Sequence, residues 1–254
     1  MRQIPDYKKK EIDIRNFKCV RLKYIRDQIK PQIKDFLCEK NYGLGQYLYF
    51  HAWSEEIENY RAFYVVMDDE EIVMYFSLQM GSTIKCKKKK IGGVLYDTKT
   101  KKYFIDTDKL EVEKCIPTIE IPQFCVNDRY RNKSKKWTVN YLGREYSVGE
   151  YVFYYYIAPM VIQSAETLGF QYLILFCADN NSGDLEKYYK KLGFVRMDDM
   201  ACLRDRYSKG LECLTIKIGN LIENYLEFSN PEYQNTSERV VTHNNWKLTK
   251  KTND

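Results

Sequence analysis

Histidine is almost missing from this chain, with His51 and His243 the two among 254 residues. The eight cysteines form no C-x-x-C pair. Without paired thiols or clustered imidazoles a zinc site has no ligand framework, so no metal is expected. The thiols are read instead as small apolar residues, kept free in a reducing, cytoplasmic setting. Long apolar runs are lacking too. The longest, Tyr151 to Ile162, is well short of the roughly 20 residues that cross a bilayer. The opening "MRQIPDYKKKEIDIR" has no apolar signal core, and no membrane partner is expected. No internal repeat is visible. The net charge of +6 is far from a histone-like balance, although it suits an anionic ligand.

What the chain does contain is enough apolar sequence, 44%, to bury a sizeable core. Its 23 tyrosines can sit with ring inside and hydroxyl outside. "FKCVRL" (17–22) reads as a first strand. Ile25, Ile29, Ile33 and Leu37 recur at helical spacing, with Pro31 near the start of the pattern. "YLYFHAWSEEIENY" (47–60) reads as a second helix. "RAFYVVM" and "IVMYFSLQM" read as a strand hairpin. A further hairpin is expected around Asp97–Lys101, and a long strand at 116–126 made irregular by Pro117 and Pro122. A helical stripe runs from Val152 to Leu168, with Pro159 expected to kink or open it. "QYLILFCA" (171–178) is an apolar strand. A short helix follows, capped by Ser182 or Asp184 and carrying Leu185, Tyr188, Tyr189 and Leu192 on one face. Gly193 supplies its exit, and "CLTIKIG" (213–219) is the last strand.

The order is β-α-α-β-β-β-α-β-α-β-β. Strands alternate with helices in the second half alone, which favours an α/β (α+β) fold with a mixed central sheet flanked by helices. One domain is expected over residues 1–228, with insertions at about 82–115 and 127–143, between strands three and four and after strand four. A polar tail follows over 229–254.

Four stretches in this order resemble the GNAT family of acyl-CoA-dependent N-acetyltransferases. "FYVVMDDEEIVMYFSL" is similar to the family's strands two and three, and "IPTIEIPQFCVNDRYR" to strand four and its exit. "REYSVGEYVF" matches the R/Q-x-x-G-x-G/A pyrophosphate loop, except that Ser147 replaces a glycine. "LILFCADNNSGDLEKYYKKLGF" resembles strand five, the next helix and the Y-x-x-x-G-F ending. The likeness covers roughly residues 17–220. A rival register for the loop, Arg131 to Lys136, has no glycine and no apolar helix after it.

The resemblance implies acetyl transfer from acetyl-CoA to an amine by direct attack. Tyr189, five residues before the phenylalanine of "GF", would be the acid that protonates the leaving thiolate; taken without the resemblance it is a core residue. Glu120 on strand four would be the base, or else a surface-facing strand residue. Alternation sets it on the face of Pro122 and Phe124 unless the prolines make a bulge. The cofactor would meet Phe124, Cys125 and Val126, and a backbone N–H near Cys125 or Val126 would hold the oxyanion. It would also meet Arg144, Tyr146, Ser147, Val148, Gly149 and Glu150 at the start of a helix, where amides and dipole favour phosphate. Asn181 loosely matches a cofactor-contacting asparagine, or is a loop or cap residue. A Cβ at Ser147 narrows the approach and disfavours positive φ. Cys125 and Cys177 have no histidine nearby in sequence and read as structural.

The acceptor, whether small molecule, protein or aminoacyl-tRNA, carries no code in the sequence, and a homodimer stays open. The alternatives are a GNAT-type toxin acting on aminoacyl-tRNA, with basic segments 85–90 and 129–136 meeting RNA, or a non-catalytic acyl-CoA-binding module.

Overall fold

The computed structural model describes residues 16–38, 42–69, 71–86, 94–97, 102–105, 112–131, 138–177, 183–196, 200–202 and 211–230. The chain opens with β1 (Phe17–Arg21) and four short helices: α1 (Leu22–Ile25), α2 (Lys30–Asp35), α3 (Tyr42–Phe50) and α4 (Ala52–Ile57). The sequence predicts two helices here, and each is broken in two. Pro31 has no N–H to continue a helix and lies in the first turn of α2, so the Ile25–Leu37 pattern divides before it. The second predicted helix divides at His51.

Strands β2 (Ala62–Asp68) and β3 (Glu71–Cys86) form the expected hairpin. A second hairpin, β4 (Val94–Asp97) and β5 (Lys102–Ile105), stands as its own small sheet. The predicted long strand is β6 (Val112–Ile121) and β7 (Phe124–Val126), interrupted at Pro122–Gln123. Next come β8 (Thr138–Tyr141) and β9 (Arg144–Ser147), a hairpin, and then an unbroken helical rod from Val148 to Leu168. The rod consists of α5 (Val148–Val152), a π segment (Phe153–Ile157) and α6 (Ala158–Leu168). Pro159 has no N–H to donate one turn back, and the helix widens to π spacing just before it, as the sequence leads one to expect.

The chain then continues through β10 (Tyr172–Cys177), α7 (Asp184–Lys191), β11 (Val195–Arg196), β12 (Met200–Cys202), β13 (Glu212–Lys217) and α8 (Ile218–Ser229). Helix α7 starts behind Gly183 at φ +69 with no side-chain cap, and Asp184 lies inside its first turn. Ser182 lies outside the described residues. Helix α8 is absent from the sequence reading, which ends the ordered elements at β13.

The main sheet has the order β1-β2-β3-β6-β10-β13-β11, with β7 and β12 also pairing β3. All its ladders are antiparallel except β6 with β10, so the sheet is mixed as expected. Alternating side chains give it two buried faces. Phe63, Val65, Met67 and Tyr75 face α1–α4, while Val66, Met74, Phe76, Ile119 and Ile121 face α5, α6 and α8. Each of these large side chains, once buried, contributes roughly 1.5–3 kcal/mol.

One charged pair locks the helical layer to the sheet edge. Glu56, buried at the end of α4, accepts from Arg21 Nε at 2.6 Å and from the Phe63 backbone N–H. At the far end Gly193 turns the chain out of α7 with φ +88. A Cβ there would stand 3.0 Å from Ile216 Cδ1 and 2.3 Å from Asn224 Nδ2 of α8. Positive φ alone costs an L-residue roughly 1 kcal/mol. Gly193→Ala is therefore expected to destabilise by about 1–2 kcal/mol. In a chain of this size that is a loss of about 2–8 °C in a melting scan.

Candidate active site: a split between two strands

Parallel pairing of β6 with β10 stops at Ile121–Leu175. Beyond that point Phe176 and Cys177 stay paired with β13, whereas β7 stays paired with β3. Pro122 cannot donate to a ladder, and Gln123 is tied firmly to β3. Its carbonyl accepts from Ser77 N–H at 3.0 Å, and its own N–H donates to Ser77 Oγ at 3.3 Å. The bulge therefore pulls the strand toward β3 and opens a gap on its β10 side.

The ladder also fixes which amides face that gap. Asn127 N–H donates to Val73 O at 2.9 Å, and Gln123 is bonded opposite Ser77. In an antiparallel ladder hydrogen-bonded and non-bonded pairs alternate. Cys125, opposite Tyr75, thus directs its backbone toward β3, while Phe124 and Val126 direct theirs toward the β10 side. Of the two expected oxyanion donors, Val126 is thus turned to the gap and Cys125 away from it, and Phe124 faces the gap as well. Cys125 Sγ lies in the opposite layer, 3.2 Å from Cys38 Sγ. That hydrogen bond, with burial behind it, pushes its thiol far above the usual range.

Tyr189 projects from α7 into the same region. Its ring lies 6.1 Å from Phe124, 5.6 Å from Tyr188 and 6.1 Å from Phe194. Burial raises its hydroxyl well above the ordinary tyrosine range, and the neighbouring Tyr188, Cys177 of β10 and Cys125 of β7 push the same way. Such a phenol keeps its proton near neutrality. The residue belongs to the core and also borders the opening.

Glu120 stands one step before the strands part. Ile119 and Ile121 flank it and point to the α5 side, as do Phe124 and Val126 after the bulge. The expectation that Glu120 shares a face with Phe124 fails, because the extra residue at Pro122–Gln123 inverts the alternation. Glu120 is buried on the opposite face of the sheet, where Gln79 Nε2 donates to its Oε2 at 2.9 Å. Gln79 Oε1 accepts from Arg61 Nε at 2.6 Å, and Arg61 also reaches Glu55 at 3.2 Å and the Tyr47 hydroxyl. A cleft of about 330 Å³ opens beside this chain of bonds, lined by Arg21, Tyr60, Arg61, Gln79 and Met80 among others. Gln79 and Arg61 are absent from the sequence-based site. Only the pairing of β2, β3 and β6 brings them to Glu120.

The pyrophosphate-loop match takes an unexpected form. Arg144–Ser147 is strand β9, and Arg144 Nη1 donates to the Glu227 carbonyl of α8 at 3.2 Å. Ser147 is the N-cap of α5 at φ −67, extended backbone that any residue adopts, so the concern over positive φ does not apply. Its Oγ accepts from Glu150 N–H at 3.3 Å, and the Glu150 carboxylate accepts from the Ser147 backbone. This is a reciprocal capping box, and the S-x-x-E spacing was readable in the sequence. Burial nonetheless raises the Glu150 carboxyl.

Gly149 underlies a close approach: a Cβ there would meet Tyr188 Oη at 2.4 Å, Val126 Cγ2 at 3.3 Å and Phe124 Cε1 at 3.5 Å. The Tyr188 hydroxyl also bonds Ser147. Val148 is buried, and Tyr146 packs beneath the hairpin against Phe228 at 5.1 Å. The start of α5, the end of β7 and the inner face of α7 thus converge. Asn181 lies outside the described residues.

No protein-family model matches the chain, and no curated protein matches it significantly. Solved structures do resemble it. One is a tyrosine-to-phenylalanine mutant of the toxin AtaT bound to the C-terminus of the antitoxin AtaR and acetyl-CoA. It superposes with a TM-score of 0.52 at 12% identity, over 83% of this chain and 98% of its own. Another is a tyrosine-to-phenylalanine mutant of KacT, with a TM-score of 0.53 at 13% identity, over 82% of this chain and 99% of its own. A third is AtaTR bound with acetyl-CoA, at 0.52 and 13%, over 83% and 99%. The chain has the GNAT fold, with a mixed central sheet flanked by helices.

Proposed function

We propose that this protein is an N-acetyltransferase that moves the acetyl group of acetyl-CoA to an amine within a ternary complex. The observation that carries the reading is the split after Ile121–Leu175, which has two backbone amides turned toward it and the Tyr189 phenol beside it. The acetyl-CoA bound to neighbours of the same fold supports the reading. The pantetheine arm would enter the gap and pair with the outward backbone of Phe124 and Val126. The pyrophosphate would sit over the Val148 and Gly149 amides, whose rod continues for 21 residues, from Val148 to Leu168.

The amine approaches from the Glu120 face, opposite the cofactor. Glu120 takes its proton, with the Gln79 bond holding the carboxylate in place. The nitrogen attacks the thioester carbonyl, and the oxyanion is met by an amide of β7, a contact of a kind worth about 3–4 kcal/mol of barrier. As the C–S bond breaks, Tyr189 gives its proton to the departing sulfur. Cys125, with its thiol held protonated, is unsuited to carry the acetyl group, which favours direct attack.

Thiol release from acetyl-CoA with a panel of amines tests the assignment. Glu120→Gln keeps the Gln79 contact and loses the base. It is expected to lower kcat/KM at pH 7 by about 100-fold, the low end of what a positioned base supplies. An unchanged rate would remove Glu120 from the reaction. A second prediction concerns Ser147→Gly. Glycine at an N-cap costs only a few tenths of a kcal/mol in place of serine, yet it releases the Glu150 N–H for phosphate. CoA affinity measured by calorimetry is expected to rise about three- to tenfold.

The toxin reading concerns the acceptor. Neighbours of this fold include the toxin AtaT, seen with the C-terminus of its antitoxin, which supports a GNAT-type toxin, and aminoacyl-tRNA is the acceptor such a toxin would take. Of the basic segment 129–136, Arg129 pairs with Glu71 at 3.1 Å and Arg131 with Asp128 at 3.8 Å. Residues 87–90 and 132–136 lie outside the described residues. tRNA binding that weakens steeply with salt would favour this acceptor, and flat binding would discard it.

A further inference from the structure

We infer that α8, the helix after the last strand, is a positioning element for the cofactor's phosphate end, and that Phe228 is the residue through which it acts. The inference rests on the proposed cofactor reading. Phe228 is 4% exposed and gathers the aromatic rings that frame the start of α5. It stacks on Tyr141 of β8 at 5.0 Å and on Tyr154 of the π segment at 5.3 Å. It meets Tyr146 of β9 edge-on at 5.1 Å and Tyr151 of α5 at 6.1 Å. Tyr146 immediately precedes the N-cap Ser147, and Tyr151 follows the capping partner Glu150. One ring therefore grips the chain on both sides of the turn that carries the Val148 and Gly149 amides.

Two polar contacts point the same way. Arg144 Nη1 donates to the Glu227 carbonyl, tying the other end of β9 to the last turn of α8. Asn224, one turn earlier on α8, bonds the Tyr154 hydroxyl. The helix thus touches β8, β9, α5 and the π segment, and all of these contacts lie near the phosphate end of the proposed site. A phosphate needs amides held in one geometry, since freezing them at the moment of binding subtracts from affinity. Arg144, which the sequence pattern offers as a phosphate ligand, acts here as a strap for the hairpin.

The test is calorimetric titration with CoA at low and moderate salt, on the full chain and three variants, each with a melting scan. Phe228→Leu keeps an apolar side chain in the cluster but loses the stacking faces, and Phe228→Ala empties it. Leu221→Ala weakens α8 toward its other end, two turns before Phe228, where Leu221 is fully buried. Phe228→Leu is expected to weaken CoA about tenfold and to flatten the salt dependence, because misaligned amides hold the phosphates less well. Phe228→Ala should weaken it further. Leu221→Ala should lower the melting temperature and bind CoA as the parent does. Parent-like affinity and salt slope in Phe228→Leu, or an equal loss in Leu221→Ala, would overturn the inference. A parent that takes up no CoA would overturn the cofactor reading and this inference with it.

Discussion

Tyr189→Phe is expected to slow acetyl transfer by about 100-fold or more while leaving CoA affinity and the melting temperature nearly unchanged. The ring would keep its neighbours Phe124 and Phe194, both at 6.1 Å, so packing survives. What is lost is one proton, held on the phenol by burial and by the groups around it. General acid catalysis by a positioned side chain typically supplies 10²–10⁴-fold. A free thiol has a pKa near ~8.5, so the leaving sulfur needs modest help, and the lower part of that range applies. The measurement is steady-state thiol release, read beside CoA binding. A rate within threefold of the parent would leave Tyr189 as a core residue alone, the reading its sequence neighbours also permit.

Gly149→Val should act on binding instead. A Cβ at this position lies 2.4 Å from the Tyr188 hydroxyl, and it touches Val126 and Phe124 at 3.3 and 3.5 Å. Tyr188 can swing away, but the β7 wall cannot, and two further methyl groups would fill the space between α5 and the end of β7. Overpacking of this kind costs roughly 1–3 kcal/mol of stability. The loss of close backbone approach should cost CoA at least ~100-fold in affinity, because the phosphates must reach the first amides of the rod. Calorimetry at a temperature below the lowered melting point separates the two effects. Parent-like CoA binding in this variant would move the phosphate site away from α5.

Much of the frame is legible in the sequence because it rests on local chemistry. Pro122 marks the break between β6 and β7, Pro159 the π segment, and Gly193 the exit from α7. Each acts through its own φ or its missing N–H, with no help from distant residues. What the sequence hides depends on tertiary partners. The bulge at Pro122–Gln123 reverses the face of Glu120 relative to Phe124, and no count of alternating residues reveals a reversal before the bulge is located. Arg144 looks like a phosphate ligand until α8 is present to receive it. Helix α8 itself has no side-chain cap at its start; it buries Ile218, Leu221 and Phe228, and the rings around Phe228 lie far away in sequence. The relay from Arg61, one residue before β2, through Gln79 on β3 to Glu120 on β6 leaves no trace in any one segment. The capping box was readable from Ser147 and Glu150. The glycine pattern of the resembling family marks the same serine as a missing glycine.

Acetyl transfer at this site requires that the gap beside β7 admit a thioester arm. A crystal structure of the protein grown with acetyl-CoA is the direct measurement. The expected map has the pantetheine running between β7 and β10, its amides paired with Phe124 and Val126, and its sulfur within reach of the Tyr189 hydroxyl. A map in which β10 closes against β7 and the cofactor lies elsewhere, or nowhere, would contradict it.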